Sequence, residues 1–321
     1  MKYFLVSDTH SFYFELMASL KTAGFDKKNK NHTLIVLGDL FDRGPDTLKL
    51  YKFLTSIPKK RCILIRGNHE LLYKDLLEKD YPESHDFSNG TVNTFCQIAR
   101  PQICDFDCSE SYFERSSYYH YFNVYRGIED DDDIDAISRR HWKQVVNIVK
   151  EHPITKLIFD DKRWINYFEL GSYIMVHSWI PCACKPTYGR YDYPPEEIGY
   201  REDWKNATAT EWADATWGCP WAKAKKGWNK TGKTIICGHW HTSDFFKHLK
   251  NKRYGIAEAP VYYSKEVIGL DLGCYTTAYG LYHPQGIVVI EDNICYNKFG
   301  DEFKETKAVP QIETVPAKEV E

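Results

Sequence analysis

Three polar motifs, each placed directly after a short apolar segment, constrain this 321-residue chain more than any other feature. The apolar segments are residues 2–6, residues 33–37 and Cys62–Ile65, and their aliphatic character predicts three buried β-strands. An amphipathic segment between the second and third strands, residues 46–56, predicts a helix with Asp46 as its N-cap. Strands that alternate with helices indicate an α/β fold, in which polar residues at strand ends meet at one edge of a sheet.

The middle of the chain departs from this alternating pattern. Residues 81–152 are aromatic, polar and irregular, and we interpret them as a largely helical insertion, with a helix over residues 134–150, rather than as a separate catalytic domain. Residues 181–230 are rich in Pro, Gly, Trp and Tyr and predict long loops, which often carry function. We therefore assign residues 1–303 to a single domain and residues 304–321 to a disordered tail, because the tail contains few large apolar side chains.

Later apolar segments predict the remaining strands. Residues 164–170 and Tyr173–Val176 are joined by a Gly-Ser pair, which is a hairpin signal. A strand over Thr234–Cys237 leads into another polar motif. Residues 267–272 and 286–291 predict late antiparallel strands.

The overall charge and the cysteine pattern limit the partners and the location of the chain. With 42 basic and 45 acidic residues the net charge is −3, so we expect no stable nucleic-acid binding. The ten cysteines do not form paired sets at zinc spacing, which predicts free thiols and a cytoplasmic location. No apolar run approaches the ~20 residues that a membrane span needs, so we expect no membrane association.

Candidate metal ligands follow the first two predicted strands. Asp8 and His10 are two residues apart at a strand end, so their side chains lie on the same side and can face one cation. Asp39 comes directly after Gly38, and its two carboxylate oxygens allow it to bridge two cations. An Asp-x-His pair also occurs by chance as a capping residue beside a surface histidine, so the interpretation depends on the other motifs.

The second and third motifs add groups that suit acid catalysis. Asp42 lies beside Arg43, where a turn with a salt bridge is the alternative interpretation. Asn68 can offer its carbonyl oxygen as a neutral ligand, whereas the neighbouring His69 points elsewhere and fits a proton donor better than a ligand. Glu70 is interpreted structurally, as a favourable charge at the start of the following helix.

Three histidines follow later apolar strands. His177 ends one strand, and His239 and His241 follow another. A lone histidine on a strand is usually structural, but three in a chain that already offers carboxylate and amide donors favour a metal centre. This mixture of oxygen and imidazole donors suits two adjacent divalent cations.

The motifs resemble those of a known family. The resemblance rests on Asp8-Thr9-His10, Gly38-Asp39-Leu40-Phe41-Asp42-Arg43-Gly44 and Arg66-Gly67-Asn68-His69-Glu70. These strings are similar to the motifs of the calcineurin-like metallophosphoesterase superfamily, and within it to those of the serine/threonine phosphoprotein phosphatases. The resemblance implies an α/β fold of two packed mixed β-sheets flanked by helices in four layers, with the metals at one edge.

The resemblance also implies a role for each candidate residue. The implied ligands are Asp8, His10 and Asp39 for the first metal, with His241 in many members, and Asp39, Asn68, His177 and His239 for the second. Asp39 would bridge two ions, which we expect to be manganese, with iron or zinc as alternatives. His69 would be the general acid, oriented by Asp42, and Arg43 and Arg66 would bind the phosphate oxygens.

The chain departs from the protein-phosphatase pattern near two of these positions. His177 is followed by Ser178-Trp179, where the protein phosphatases usually have two glycines, so the bulky Trp179 predicts a different substrate groove. A third phosphate-binding arginine is usual in the family, and both Arg190 and Arg201 are candidates for that place.

The motifs and the resemblance together predict a phosphate monoester hydrolase in which a hydroxide bridging two metal ions attacks phosphorus directly. A phosphoserine or phosphothreonine protein is the first predicted substrate. A nucleotide hydrolase of the diadenosine tetraphosphatase type is the alternative, although Asp42 stands where those enzymes commonly carry Ala. A catalytically inactive metal-binding scaffold is a third hypothesis, disfavoured because every expected ligand is present.

Overall fold

The strands of the protein form two large mixed sheets and one small antiparallel pair. The computed structural model describes residues 1–114, 132–185, 195–274 and 284–303. Its strands are β1 Lys2–Val6, β2 His32–Leu37, β3 Cys62–Ile65, β4 Trp164–Ile165, β5 Tyr167–Leu170, β6 Tyr173–Val176, β7 Cys182–Cys184, β8 Glu197–Tyr200, β9 Thr234–Cys237, β10 Tyr262–Tyr263, β11 Val267–Gly269, β12 Val288–Glu291 and β13 Ile294–Asn297. The six-stranded sheet has the order β13-β12-β1-β2-β3-β4, and the five-stranded sheet has the order β10-β11-β9-β6-β5.

Helices connect these strands. The α-helices cover Tyr13–Thr22, Thr47–Thr55, Asn68–Glu78, Ser84–Ser88, Thr91–Ala99, Asp132–Glu151, Pro153–Phe159, Ala209–Thr216, Pro220–Lys225 and Thr242–Lys250. Short 3₁₀ helices cover Lys59–Arg61, Arg100–Gln102, Trp204–Asn206 and Ile256–Glu258. Among the helices of the described residues, none combines the length and the apolar character that a bilayer-spanning segment requires.

Alternating side chains place each sheet between helices and the other sheet. In β1, Phe4 and Val6 join the core beneath the helices, whereas Leu5 joins the core shared by the two sheets. In β9, Ile235 faces the second group of helices and Ile236 faces the first sheet. Successive residues of a strand point to opposite faces, so each apolar strand serves two cores. The predicted architecture of two packed mixed sheets flanked by helices is confirmed.

Parallel strands bring the polar motifs to one edge of the two sheets. β1, β2 and β3 are parallel neighbours in the first sheet, and β6 and β9 are parallel neighbours in the second. Backbone bonds join the loops that follow: the His10 amide donates to the Asp39 carbonyl at 3.0 Å, and the Gly238 amide donates to the His177 carbonyl at 2.7 Å. The candidate residues therefore lie on loops that are tied to one another.

Several local predictions were only partly correct. Asp46 occupies the N-cap position, but its carboxylate bonds Lys49 Nζ at 2.6 Å and makes no capping bond. Residues 164–170 divide into two strands because β4 pairs with β3 in the first sheet and only β5 pairs with β6. β11 runs parallel to β9 and antiparallel only to the short β10.

The prediction of long loops over residues 181–230 was wrong. The described part of this segment contains β7, β8 and two helices, Ala209–Thr216 and Pro220–Lys225. Aromatic packing accounts for this ordered structure, because Trp204 and Trp212 are buried and pack against Tyr167 of the second sheet. The predicted insertion contains helices on both sides of residues 115–131, and the predicted tail at 304–321 lies outside the described residues.

Candidate metal centre

The backbone at the sheet edge adopts an unusual conformation. Six candidate residues have positive φ angles between 44° and 72°: Asp8, His10, Asp39, Asp42, Arg43 and His239. Left-handed backbone is uncommon for residues other than glycine, and it persists only where the surrounding structure imposes it. Its concentration in these loops indicates that side-chain placement here is favoured at the expense of local backbone stability.

The carboxylate of Asp39 lies between two groups of histidines. Its Oδ1 is 3.5 Å from His177 Nε2, and its Oδ2 is 3.8 Å from His10 Nε2 and 3.8 Å from His69 Nε2. All four side chains are buried. Because each oxygen faces a different group, Asp39 has the geometry of a bridging ligand.

The group on the Oδ1 side consists of His177, His239 and Asn68. His177 Nδ1 donates to the Leu37 carbonyl at 2.6 Å, which leaves the Nε2 lone pair directed into the site. That Nε2 lies 2.9 Å from Asn68 Oδ1 and 3.3 Å from His239 Nδ1. Acceptor atoms converge here at the spacing that ligands of one cation adopt, so the donor set fits a metal ion.

The group on the Oδ2 side contains His10 and His69 with Asp39. His10 Nδ1 donates to the Phe41 carbonyl at 3.0 Å, so its Nε2 lone pair faces Asp39. Asp8, a predicted ligand, lies outside this group because its Oδ2 accepts hydrogen bonds from the Ser7 hydroxyl and from the His239 amide. His69, which we predicted as the general acid, is the third member of this group.

His241 is a member of neither group. Its Nε2 is 3.8 Å from Asp271 Oδ2. A further group of possible ligands consists of the exposed Asp75 and His85 and the buried Asp86. Lys79 Nζ is 2.8 Å from Asp75 and 3.1 Å from Asp86, so a cationic side chain already neutralises those carboxylates.

The electrostatics of the centre favour an ionised Asp39 carboxylate and neutral imidazoles at His10 and His239. Burial opposes ionisation of Asp39, but the histidines around it, His177 first, outweigh burial and lower its pKa. Burial and the nearby His177 lower the pKa of His239 to about 3. Burial and then Arg43 lower the pKa of His10 well below its ordinary value. Neutral imidazole and carboxylate are the protonation states in which these groups bind metals.

His69 forms a hydrogen-bonded pair with Asp42. The distance between His69 Nδ1 and Asp42 Oδ2 is 2.7 Å, and both side chains are buried. Burial disfavours the charged imidazole, but Asp39 and then the hydrogen bond to Asp42 outweigh burial and raise the pKa of His69. The imidazole is therefore held in one orientation and retains its proton more readily than a free histidine.

Two threonines of the helix Thr91–Ala99 hold Asp42 in turn. Thr91 Oγ1 donates to Asp42 Oδ2 at 2.9 Å, and Thr94 Oγ1 donates to Asp42 Oδ1 at 2.7 Å. The Thr94 hydroxyl also accepts from the Asp42 amide at 2.9 Å. This helix belongs to the segment predicted as an insertion, so that segment positions the loop that carries Asp42.

Glu70 ties the second and third motifs together. Its carboxylate accepts hydrogen bonds from the amides of Gly67 at 2.7 Å, Leu40 at 2.9 Å and Asp39 at 3.1 Å. Burial and then Asp39 raise its pKa to about 7. The structural role that we predicted for Glu70 matches these contacts, which extend beyond its own helix to the strand β2 loop.

The candidate phosphate-binding arginines occupy different surroundings. Arg43 lies within the centre, with Nη1 3.1 Å from His10 Nε2 and Nη2 3.3 Å from His69 Nε2. Arg66 donates instead to Asp161 at 2.7 Å. Arg201 pairs with the carboxylates of Asp203 and Glu211. Arg190 lies outside the described residues.

Sequence reasoning missed three residues close to the centre and misplaced one. Thr91 and Thr94 carry no motif that separates them from other helix residues. Trp179, which we expected to alter the substrate groove, is a core residue with 1% exposure. The exposed tryptophan near the centre is Trp217, whose ring centroid lies 6.1 Å from that of His239.

Comparison with known proteins supports the same family. A curated relative, the symmetrical bis(5′-nucleosyl)-tetraphosphatase of Buchnera aphidicola subsp. Schizaphis graminum, is 41% identical over 71 residues, which are 22% of this chain and 25% of the relative. The asymmetrical bis(5′-nucleosyl)-tetraphosphatase PrpE of Halalkalibacterium halodurans is 24% identical over 146 residues, which are 41% of this chain and 59% of the relative. The matches thus span a quarter to three fifths of these two relatives' lengths.

Among solved structures, a cold-active protein tyrosine phosphatase of a psychrophilic Shewanella species aligns with a TM-score of 0.43 and 13% identity, covering 94% of this chain and 79% of that one. A protein serine/threonine phosphatase from Saccharomyces cerevisiae aligns with a TM-score of 0.40 and 13% identity, covering 97% of this chain and 82% of that one. A model of the calcineurin-like phosphoesterase family matches residues 1–243, which is most of the chain. The chain therefore belongs to the calcineurin-like phosphoesterase family.

Proposed function

We propose that this protein is a metal-dependent hydrolase that cleaves phosphate esters by direct attack of water on phosphorus. The observation that carries the proposal is the position of Asp39, whose two carboxylate oxygens face two separate groups of histidines. The family is dinuclear, and this arrangement supplies a donor set for each of two ions. We expect manganese, with iron or zinc as alternatives.

The residues divide between two proposed metal positions. Asp39, Asn68, His177 and His239 would hold one ion, and His177 Nε2 lies within 3.5 Å of a possible ligand atom of each of the other three. Asp39 and His10 would hold the other. When bound, two such ions would polarise the phosphoryl oxygens and lower the pKa of a coordinated water from 15.7 to about 7.

Asp8 and His241 remain proposed ligands of the first ion. Both are close to the centre but are engaged by other partners, Asp8 by the Ser7 hydroxyl and His241 near Asp271. Burial and then Asp271 raise the pKa of Asp8 well above its ordinary value. A cation at this position would offset that repulsion between carboxylates, so the metal and Asp8 would favour each other.

His69 is the proposed general acid. Its Nδ1 is fixed by Asp42, so Nε2 is the atom from which a proton would pass to the departing oxygen. In the proposed step, a water molecule gives one proton to solvent and its oxygen bonds to phosphorus. The P–O bond to the leaving group breaks, the leaving oxygen takes the His69 proton, and solvent returns a proton to His69. General acid catalysis of this kind typically contributes ~10²–10⁴-fold.

Arg43 is the proposed phosphate-binding residue at the centre. Its guanidinium presents two N–H groups toward His10 and His69, where the phosphoryl oxygens would lie beside the general acid. A planar and permanently charged fork suits two oxygens of one phosphoryl group. Arg66 keeps the same proposed role, which would require its release from the exposed Asp161.

Two substrate classes are supported by different observations. The Asp42–His69 pair favours a phosphoserine or phosphothreonine protein, because an alkoxide is a poor leaving group that needs a proton. The similarity to bis(5′-nucleosyl)-tetraphosphatases favours a dinucleoside tetraphosphate. The third hypothesis, an inactive scaffold, predicts bound metal without turnover.

The test is a side-by-side assay of the full chain with manganese, on a phosphoserine peptide, diadenosine tetraphosphate and a cyclic nucleotide. The proposal expects hydrolysis of at least one substrate and its loss in Asp39→Asn. Preference among the substrates identifies the class. Stoichiometric metal without hydrolysis of any of them, with iron and zinc also tried, would support the scaffold instead.

A further inference from the structure

Trp217 differs from every other tryptophan of the chain by its exposure. All nine tryptophans lie in described parts of the structure, and Trp217 alone among them is exposed, at 50%. Five of the others are almost completely buried in the two helix-facing cores. An exposed aromatic side chain forgoes the stability that its burial would contribute, and such side chains often bind ligands or partner molecules.

The Trp217 ring is adjacent to the metal centre. Its centroid lies 6.1 Å from that of His239, with the two rings perpendicular. His239 Nδ1 is in turn 3.3 Å from His177 Nε2, within the group that faces Asp39 Oδ1. A phosphoryl group at the centre would therefore lie near Trp217.

Two side chains fix the position of Trp217, and each belongs to the residue directly after a candidate metal ligand in the sequence. The carbonyl of Gly218 accepts a hydrogen bond from Ser178 Oγ at 2.8 Å and another from Trp240 Nε1 at 3.1 Å. Ser178 follows His177 and Trp240 follows His239. The Trp217–Gly218 peptide is thus held by the same two loops that present the histidines.

A cavity of about 360 Å³ lies against this ring. Trp217 and Gly218 line it together with Pro181, Pro195, Glu197 and Asp214. This volume is within the range of small-ligand sites, and the lining combines apolar surface with a few polar groups. The cavity is formed by the segment that the sequence predicted as aromatic loops.

The charges around the cavity do not favour a basic peptide. Glu197 at its wall is paired with the buried Lys223 at 2.6 Å, and Glu211 is paired with Arg201. Lys226 adds a further positive charge to the lining. Because basic side chains offset most of the negative charge, the cavity suits an uncharged planar group. Amino hydrogens on such a group would donate hydrogen bonds to the remaining carboxylate oxygens.

We propose that Trp217 is the stacking platform of a leaving-group subsite, and that this subsite takes the base of a nucleotide whose phosphate lies at the metal centre. The inference rests on the proposed function, which it deepens by naming the leaving group. Stacking of a base on an aromatic side chain tolerates differences among bases, whereas the carboxylates of the wall favour an amino-bearing base such as adenine. Ser178 and Trp240 are positioning residues for the platform.

The test compares AMP with inorganic phosphate as ligands of the manganese-loaded full chain, by calorimetry. Trp217→Leu is expected to raise the ratio of the AMP to the phosphate dissociation constant about 5- to 150-fold, which is the range for loss of one base–aromatic stack. Trp217→Phe retains an aromatic face and should shift the ratio much less. Trp240→Phe removes the N–H donor to Gly218 together with part of the ring, and it should shift the ratio in the same direction.

Ile198→Ala is the matched control. Ile198 is equally exposed, at 52%, and follows Glu197 in β8, so its side chain points to the opposite face of that strand. This variant should leave the ratio unchanged. An unchanged ratio in Trp217→Leu, or an equal weakening of a phosphoserine peptide and AMP, would overturn the nucleotide subsite.

The outcome separates this inference from the proposed function. If the protein hydrolyses glycerol phosphate while Trp217→Leu leaves the AMP-to-phosphate ratio unaltered, the hydrolase proposal stands and the subsite is refuted. If AMP binding depends on Trp217 but no phosphate ester is cleaved, the subsite stands and the hydrolase proposal fails. The binding measurement requires no turnover, so either result is informative on its own.

Discussion

Replacing Thr94 with valine tests whether the Thr91–Ala99 helix supports catalysis. Valine has the shape of threonine without the hydroxyl, so the change removes the 2.7 Å bond to Asp42 Oδ1 and the 2.9 Å bond from the Asp42 amide. Thr94 is fully buried, and solvent cannot replace these partners. Thr91 still donates to the other carboxylate oxygen, so the Asp42 side chain should become more mobile but stay beside His69.

The magnitude follows from the charge of the acceptor. A hydrogen bond to a charged group is worth about 1.5–3 kcal/mol, which corresponds to a ceiling of about 10- to 150-fold in rate if it were lost wholly in the transition state. Because one anchor remains, we expect kcat on an alkyl phosphate to fall about tenfold. The free energy of unfolding should fall by about 1–3 kcal/mol.

The assay compares an alkyl with an activated aryl phosphate, together with urea unfolding to confirm that each variant is folded. An aryl leaving group needs little protonation, so its kcat should change far less than that of the alkyl substrate. Thr94→Ser keeps the hydroxyl and should restore most of the alkyl activity. Equal losses on the two substrates, or failure of serine to restore activity, would refute the role of this helix in orienting the Asp42–His69 pair.

Three further predictions concern the centre itself. Asp39→Asn should reduce bound metal and turnover together, because Asp39 faces both groups of possible metal ligands. Full retention of metal in this variant, measured by elemental analysis, would contradict the proposal that Asp39 bridges two ions. His69→Asn should retain both metals and lose most alkyl phosphatase activity, whereas loss of one metal would identify His69 as a ligand. Since the active acid is protonated and its pKa is raised, kcat should fall as pH rises through a value above 6.5. Asp42→Asn should move that decline to lower pH, and an unmoved profile would exclude His69 as its source.

The strand-end motifs were predictable because two strong signals coincide there. Short aliphatic runs specify buried strands, and polar residues after them must lie at the sheet edge once the strands are parallel. Cys62–Ile65 was predicted without error, and the region around Asp39 was placed at the end of β2 as the structure has it. The convergence of Asp39, Asn68, His177 and His239 follows from that topology, although the histidines come from another sheet.

Tertiary packing determined the elements that sequence reasoning missed. Pro and Gly in residues 181–230 signalled loops, but the decisive contacts, such as Trp212 stacking on Tyr167, join residues 45 positions apart, and no local period reveals them. The same limit explains the error at Trp179. This residue closely follows His177 in the sequence, and only the packing of the second helix-facing core shows that Trp179 is buried whereas Trp217 is exposed.

The support for Asp42 could not be predicted either. Thr91 and Thr94 are about fifty residues away in the chain, and their side chains resemble those of any polar helix face. Their importance appears only when the helix is packed beside the loop that carries Asp42.

The central claim is that Asp39 joins two metal positions. The most direct measurement is an anomalous-scattering map from crystals grown with manganese. We predict two peaks ~3.5–4 Å apart, one beside each carboxylate oxygen of Asp39. A single peak, or peaks that do not contact Asp39, would contradict the claim.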